Sequence, residues 1–223
     1  MNELLDTILD LVQNVDPVLR TALAGLFIML ETTILLGLIV PGDTVVLVAS
    51  TAVGSPAEYW ALTLTVIVGA LVGASLGFAI GRFFGPRLRV SALGRRLGEK
   101  NWHRAESFLQ HRGGIAVFIS RFLPVLHSLT PLVVGMSTLR YRTFMLWLTP
   151  ACIIWAFAYV TVGSLAADGY RSIAGQLDYA ALIFVGVVAG FWLLVFAVKK
   201  VLDRYVNRII DLPNESDVPT LES

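Results

Sequence analysis

The sequence has little charge, one cysteine and few histidines. Only 15% of its 223 residues are Asp, Glu, Lys or Arg, whereas soluble domains carry about 25%. The formal net charge is +1, so no overall basic bias favours nucleic acid as a partner. The single cysteine, Cys152, excludes an internal disulfide and a cysteine-based metal site. The three histidines are dispersed and lack metal-ligand spacing, so the sequence predicts neither a metal nor a cofactor.

Apolar residues dominate the sequence. They make up 56% of the chain, and the mean hydropathy is +0.75. A transmembrane helix needs about 20 consecutive apolar residues. Three stretches qualify as full spans: about 61–81, 144–167 and 179–198. The sequence therefore predicts an all-α integral membrane protein that crosses the bilayer several times.

The two ends of the chain differ from its apolar middle. Residues 1–20 carry acids and no basic leading region, which argues against a signal peptide. Apolar residues recur there at helical spacing: Leu4, Leu5, Ile8, Leu9 and Val12. This pattern predicts an amphipathic helix on the membrane surface or against the bundle. The polar, acidic tail at 211–223 contains two prolines and is predicted to be disordered.

Two further apolar segments, 21–55 and 113–139, are interrupted near their middles. Each is too long for one span and too short for two. The interrupting prolines are Pro41 in the first segment and Pro124 and Pro131 in the second. Proline removes a backbone donor and breaks a helix, and broken backbone survives at membrane depth only under protein or water. We expect each segment to be a re-entrant helical hairpin; a kinked helix and a pair of short spans are the alternatives.

The basic residues predict the orientation of the chain in the membrane. Eight Lys or Arg residues lie in the stretch 82–112, and others follow 113–139 and 179–198. The stretch between the last two predicted spans holds only one. By the positive-inside rule, the basic regions are cytoplasmic. A nucleic-acid patch is the alternative for 82–112, but its position beside a span favours topology as the cause.

A weak internal repeat relates the two halves of the chain. An offset of 90 residues pairs Glu31 with Arg121, Pro41 with Pro131 and Gly73 with Gly163. One hairpin plus one span crosses the membrane an odd number of times, so the second copy would be inverted. Inverted repeats with broken helices are typical of transporters. The predicted fold is an inverted-repeat bundle with two opposed re-entrant hairpins, about three full spans and an N-terminal amphipathic helix.

Four ionisable residues lie inside the interrupted segments: Glu31, Asp43, Arg121 and His127. A charge at the centre of a bilayer costs at least ~2.5 kcal/mol, so such residues are usually functional. The fork of Arg121 suits a phosphate, and Glu31 and Asp43 are candidate proton carriers. His127 could titrate near neutral pH or be hydrogen bonded. The alternatives are a structural salt bridge between the hairpins and, for Asp43, a helix cap in a turn.

Two runs in these segments carry a resemblance to a known family: GDTVVLVAS, which follows Glu31 and Pro41, and SRFLPVLHSLTPLVVGMSTLRYRTFMLWLTPACIIWAFAYVTVGSLA. They resemble the DedA family of bacterial membrane proteins, part of the SNARE-associated or VTT-domain group. The resemblance covers about residues 20–200, and the predicted membrane domain has the bounds 21–210. The resemblance implies two opposed re-entrant hairpins in a multi-pass protein of the bacterial cytoplasmic membrane. It also implies transport of lipid or of protons, with recycling of undecaprenyl phosphate, proton-dependent transport and phospholipid scrambling as associated roles.

The resemblance also implies roles for the four residues. The functional acidic pair of the family falls on Glu31 and Asp43, which would couple transport to protons. Its first hairpin arginine falls on Arg121 and its second on His127, and both would bind the substrate phosphate. The histidine is a departure, because it is not always charged and cannot make the same bidentate contact. Either the substrate or the coupling differs, or an arginine at 140 or 142 compensates.

The leading functional hypothesis is a transporter, not an enzyme, that flips a polyprenyl phosphate such as undecaprenyl phosphate with coupling to protons. A proton-dependent small-ion or solute transporter and a phospholipid scramblase are alternatives, and a non-transporting scaffold is a further one. A lipid phosphatase is the enzyme alternative, since Ser120, Arg121 and His127 match the start of an S-R-x5-H-x3-D signature. The orienting aspartate of that signature is replaced by Pro131, which removes the support for nucleophilic catalysis.

The spacing of Gly69 and Gly73, four residues apart, bears on assembly. Small residues at this spacing let membrane helices pack closely. Such packing would occur within one chain by default, and a homo-oligomer is the alternative.

Overall fold

A computed structural model describes residues 12–33, 42–90, 95, 99–123, 126–173 and eight positions between 186 and 201. All regular structure within these residues is helical. The helices are α1 (Pro17–Thr33), α2 (Gly42–Ser50), α3 (Pro56–Val90), α4 (Glu99–Ser120), α5 (Leu126–Met136) and α6 (Tyr141–Ile173). The prediction of an all-α protein is confirmed for this part of the chain.

Two of the helices are long and apolar enough to cross a membrane, judged by length and composition. They are Pro56–Gly85 within α3, with 30 residues, and Tyr141–Gly169 within α6, with 29 residues. They include the spans expected at 61–81 and 144–167, and both helices continue past the apolar runs. The span expected at 179–198 falls largely outside the described residues, as do residues 1–11 of the expected amphipathic helix and the tail at 211–223.

Helix α1 packs closely against α3 along a row of α3 glycines that are four residues apart. A Cβ atom added to each glycine would meet the backbone of α1: Gly69 at Gly25, Gly73 at Met29 and Gly77 at Thr33. Small residues at this spacing let two backbones approach closely. The packing of Gly69 and Gly73 is therefore within one chain. The contacts advance in the same direction along both helices, so α1 and α3 are parallel.

The opposite face of α3 carries large apolar side chains, again four residues apart. Trp60, Leu64, Val68, Val72 and Leu76 are all exposed, with between 42% and 57% of each residue accessible. In water this stripe would be an unusually large apolar patch. In a bilayer it is the surface that lipid tails cover. The two faces of α3 thus separate helix packing from contact with lipid.

The second half of the chain repeats the parallel arrangement. Gly114 of α4 lies against Trp147 of α6, and Arg121 after α4 lies against Trp155 further along α6, so α4 and α6 are parallel. We call α1–α3 the first unit and α4–α6 the second unit.

The two units run in opposite directions. The hydroxyl oxygens of Tyr59 and Thr161 are 2.7 Å apart, and those of Ser75 and Tyr141 are 2.8 Å apart. Contacts that rise along α3 therefore fall along α6, so these two helices are antiparallel. The opposed directions are those that the 90-residue repeat predicts. The repeat is approximate in packing, because Gly163 lies against Ser50 of α2, whereas Gly73 lies against α1.

The breaks in the second unit differ from those expected. Pro131 lies inside α5 and is buried, and the interruption instead follows Ser120, before α5 begins at Leu126. A sharp kink divides α4 at Gly113, whose φ of 51° and ψ of −122° suit glycine because it lacks a Cβ atom. The expected break at Pro41 and the position of Pro124 lie outside the described residues.

The basic stretch at 82–112, expected to be a loop, is largely helical. Helix α3 continues to Val90, and α4 begins at Glu99. Arg and Leu are frequent in this stretch and have high helix propensity. A helix that crosses a membrane has no reason to end at the limit of the apolar run, so the hydropathy pattern alone placed this boundary wrongly.

The glycine row gives a test of the packing. Replacing Gly73 with leucine would force a side chain into the backbone of α1, where overpacking costs about 1–3 kcal/mol. We expect the Gly73→Leu protein to show a severalfold lower folded fraction by size-exclusion chromatography after detergent extraction. The matched control is Val72→Leu on the exposed face, which should leave the folded fraction unchanged. Equal folded fractions in the two variants would contradict this account of the α1–α3 contact.

Candidate functional site

The four ionisable residues predicted from the sequence lie at helix ends. Glu31 is in the last turn of α1 and Asp43 in the first turn of α2. Arg121 directly follows α4, and His127 is in the first turn of α5. Glu31 and Arg121 are buried, with 4% and 5% of their surfaces exposed. The helix ends thus bring acids from the first unit and bases from the second into one interior.

Three of these side chains form a compact group, which we call the carboxylate–histidine cluster: Glu31, Asp43 and His127. One donor atom from each residue lies within 4.8 Å of the other two. The donors are one nitrogen and two carboxylate oxygens, a set that divalent transition metals accept. The sequence predicted no metal site because spacing along the chain does not show donors that three helices bring together.

Glu31 joins the end of α1 to the beginning of α2. Its Oε2 accepts a hydrogen bond from the backbone N–H of Asp43 at 2.9 Å. The carboxylate therefore satisfies one of the free N–H groups at the start of α2, where the helix dipole also favours negative charge. Gly42 is required for this approach, because a Cβ atom there would meet the Glu31 carboxylate and the backbone of Phe27 and Ile28.

His127 joins the second unit to the first. Its Nε2 lies 3.3 Å from Oε1 of Glu31, and its Nδ1 lies 3.1 Å from the backbone carbonyl oxygen of Leu123. The side chain of His127 is 12% exposed and that of Glu31 is 5% exposed, so water competes little for this contact. Sequence reasoning assigned His127 to the substrate phosphate; the structure places its ring nitrogens against two oxygen acceptors.

Arg121 lies on an aromatic platform. Its guanidinium carbon is 4.1 Å from the centre of the Trp155 ring, and the rings of Trp155 and Tyr159 are 4.4 Å apart. A desolvated cation–π contact of this kind contributes about 2 kcal/mol. It does not occupy the N–H donors, and Nε and Nη2 have no hydrogen-bond partner among the described residues. Buried donors are normally paired, so this fork is shaped to receive an acceptor.

Sequence reasoning missed Trp155 and Tyr159 as members of the site. Both were taken as ordinary aromatic residues of a span. Their spacing of four residues places them on one face of α6. An arginine buried at membrane depth is stabilised by aromatic rings on such a face. That combination is the signal that could have identified them.

The arginines considered as substitutes for the family's second arginine do not reach this site. Arg140 and Arg142 are exposed at the start of α6. Arg142 precedes Trp155 by 13 residues, which is about 20 Å along a helix. The structure therefore does not support compensation by either residue.

The chain is similar to known membrane proteins. The profile of the VTT domain matches residues 40–165, which include Asp43, Arg121 and His127. Protein DedA of Escherichia coli strain K12 is 22% identical over 170 residues, covering 75% of this chain and 76% of DedA. Inner membrane protein YabI of the same strain is 29% identical over 173 residues, covering 74% of this chain and 66% of YabI.

A relative in Lactococcus lactis subsp. cremoris carries a different kind of name. This alkaline phosphatase-like protein is 29% identical over 154 residues, covering 63% of this chain and 72% of the relative. No solved structure matches the chain.

The contacts of Glu31 predict how its replacement affects stability. Glu31→Ala removes the acceptor for the Asp43 N–H and the partner of His127, and an unsatisfied buried group costs about 1–3 kcal/mol. We expect Glu31→Ala to lower the unfolding temperature in detergent clearly, and Glu31→Gln to lower it much less. The carboxamide can still accept from the Asp43 N–H and donate to Nε2 of His127. Wild-type unfolding of Glu31→Ala would show that these contacts do not stabilise the bundle.

Proposed function

This chain belongs to the VTT-domain family of membrane proteins, the DedA family, and from that premise we propose that it is a lipid transporter. Its substrate is a polyprenyl phosphate such as undecaprenyl phosphate, which it flips across the bacterial cytoplasmic membrane with coupling to protons. The observation that carries the proposal is Arg121, a buried cation whose Nε and Nη2 donors have no partner among the described residues. A phosphate head group supplies the hydrogen-bond acceptors that this fork lacks among the described residues.

The directions of the helices support a re-entrant arrangement. Helix α2 has 9 residues and α5 has 11. Their lengths are about 14 Å and about 17 Å, too short for a hydrocarbon core of about 30 Å. Because α1 and α3 are parallel, the chain between them returns to the face from which it came. The same holds for α4 and α6, so each unit consists of a hairpin followed by a span.

The cluster supports proton coupling through Glu31 and Asp43. The ionised form of Glu31 holds the start of α2 and faces His127 of the second unit. Protonation of Glu31 removes its charge and weakens both contacts. A neutral Glu31 also attracts the Arg121 guanidinium less, so Arg121 binds the substrate anion more readily. The two units then rock against each other and carry the head group across, while the polyprenyl tail stays in lipid. This is the alternating-access plan of inverted repeats.

The direct test is the movement of a fluorescent polyprenyl phosphate in proteoliposomes. We expect the wild-type protein to move the lipid faster with a pH gradient than without one. Arg121→Ala should lower the rate roughly tenfold or more, since hydrogen bonds to a charged group contribute about 1.5–3 kcal/mol. Arg121→Lys should fall between the two, because an ammonium keeps the charge and loses the fork.

The matched control for Arg121 is Arg87→Ala, which removes an exposed arginine of α3 and should leave the rate unchanged. No movement above protein-free vesicles, in a preparation shown to be folded, would refute the proposed substrate. Equal rates in wild type and Arg121→Ala would show that Arg121 is structural.

Coupling is tested separately by Glu31→Gln, which keeps the size of the side chain and cannot ionise. We expect its rate of lipid movement to be the same with and without a pH gradient, whereas the wild-type rate responds. The measurement is the ratio of the two rates in the same vesicle preparation. If Glu31→Gln responds to the gradient as the wild type does, another group carries the coupled proton and Glu31 has no role in coupling.

The same vesicles separate the alternative transporters. A phospholipid scramblase moves several lipids in both directions and ignores the gradient. A small-ion or solute transporter shows gradient-dependent ion flux and no movement of the lipid.

A lipid phosphatase is the second candidate, because the Lactococcus relative is named alkaline phosphatase-like. A nucleophilic histidine needs one free ring nitrogen and an acid on the other. Both ring nitrogens of His127 are instead in contact with oxygen atoms, of Leu123 and Glu31. The geometry therefore favours transport. Release of inorganic phosphate from polyprenyl phosphate by the purified protein, lost in His127→Ala, would reverse this ranking.

A further inference from the structure

We infer that the carboxylate–histidine cluster is a binding site for a divalent first-row transition cation of the Zn²⁺ class. The three ligands are Nε2 of His127 and one carboxylate oxygen each from Glu31 and Asp43. Binding of the cation does not depend on the proposed lipid transport. Its effect on movement, argued below, rests on the proposed function.

The distance between two of the three donors fits such a cation. Zinc binds histidine nitrogen at about 2.0–2.1 Å and carboxylate oxygen at about 2.0–2.2 Å in tetrahedral geometry, so adjacent ligand atoms are about 3.3–3.5 Å apart. Nε2 of His127 and Oε1 of Glu31 are 3.3 Å apart. The third donor, from Asp43, completes a set within 4.8 Å. Three protein ligands leave the fourth position open for water or another oxygen donor, as in catalytic zinc sites.

The surroundings of His127 present its lone pair to the cluster. Nδ1 lies 3.1 Å from the carbonyl oxygen of Leu123, which can only accept, so the imidazole tautomer with its hydrogen on Nδ1 donates to that oxygen. Metal-binding histidines are commonly held in this way by a backbone carbonyl. Nε2 then points a lone pair at Oε1 of Glu31. That oxygen belongs to a residue that is only 4% exposed.

With the ring hydrogen on Nδ1, Nε2 of His127 and Oε1 of Glu31 are two largely buried acceptors 3.3 Å apart, which require a cation between them. A proton satisfies this requirement, and so does a metal ion. The nearby charges favour a cation as well. With neutral His127, the two carboxylates carry −2 and Arg121 carries +1, which leaves the interior at −1. Protons and metal would therefore compete for one place, and metal affinity would fall at acid pH.

The ligands come from both halves of the bundle. Glu31 and Asp43 belong to α1 and α2 of the first unit, and His127 belongs to α5 of the second. A metal ion bound by all three would hold the two units together. If transport requires these units to move apart, the cation inhibits it.

The test is a titration of the purified full-length chain in detergent with Co²⁺, which shows strong visible d–d absorption in four-coordinate sites. We expect one bound ion per chain with strong absorption, displaced by Zn²⁺. His127→Ala should lower the affinity at least ~10-fold, since even second-shell changes at metal sites cost that much. The matched control is His103→Ala with His111→Ala, which removes the other two histidines and should leave the affinity unchanged.

A second variant protects the test against misfolding. His127→Arg supplies the residue that the DedA family pattern has at this position, and it also removes the nitrogen ligand. A folded His127→Arg protein that fails to bind Co²⁺ supports the site. Wild-type affinity in either His127 variant, or no binding by folded wild-type protein, overturns it.

Zn²⁺ added to the lipid-movement assay separates this inference from the proposed function. Inhibition of the wild type, with no inhibition of an active His127→Arg protein, supports both. Co²⁺ binding that depends on His127, in a protein that moves no lipid, upholds the metal site and refutes the transporter. Movement of lipid by a protein that does not bind Co²⁺ upholds the transporter and refutes the metal site.

Discussion

The carboxylate of Glu31 is the interaction on which the interior of this protein depends. It lies where the end of α1 meets the beginnings of α2 and α5, almost fully buried, and both of its oxygen atoms are engaged. One oxygen accepts the backbone N–H of Asp43 at the start of α2, and the other faces His127 of the opposite unit. A carboxylate in an apolar interior is tolerated only when such partners surround it. The position of α2, the approach of α5 and the space around Arg121 all follow from satisfying this one group.

The close packing of α3 makes this arrangement feasible. Its glycines let α1 lie directly against its backbone in one region, and Gly81 does the same for Leu132 of α5 in another. Helix α3 is therefore the common support for α1 of the first unit and α5 of the second. Because lipid tails are as apolar as leucine, burial of apolar surface does little to hold helices together in a bilayer. Close backbone contact provides much of the attraction, and it fixes the helix ends that carry the charges.

The sequence predicted the helical class, the two described candidate spans and the four ionisable residues of the interior, two of them buried and two half-buried, because these depend on local composition. Hydropathy identifies the apolar runs. Ionisable residues inside such runs stand out because burying their charge is costly, and these are Glu31, Asp43, Arg121 and His127. It did not predict which of these residues pair. His127 contacts Glu31 because of how α5 packs, and no spacing along the chain encodes a contact across 96 residues. The break expected at Pro131 was also misplaced, since α5 tolerates this proline inside the bundle.

The opposed directions of the two units have a consequence for electrical behaviour. The acids of the interior belong to the first unit and the arginine to the second, so the interior charges of the two units are opposite in sign. A voltage across the membrane pulls them in opposite directions, at about 2.3 kcal/mol per elementary charge for each 100 mV. A bundle of two equivalent inverted halves has no preferred direction of its own. This separation of charge distinguishes two halves that are otherwise related by inversion, and it gives the interior an electrical polarity along with its structural symmetry.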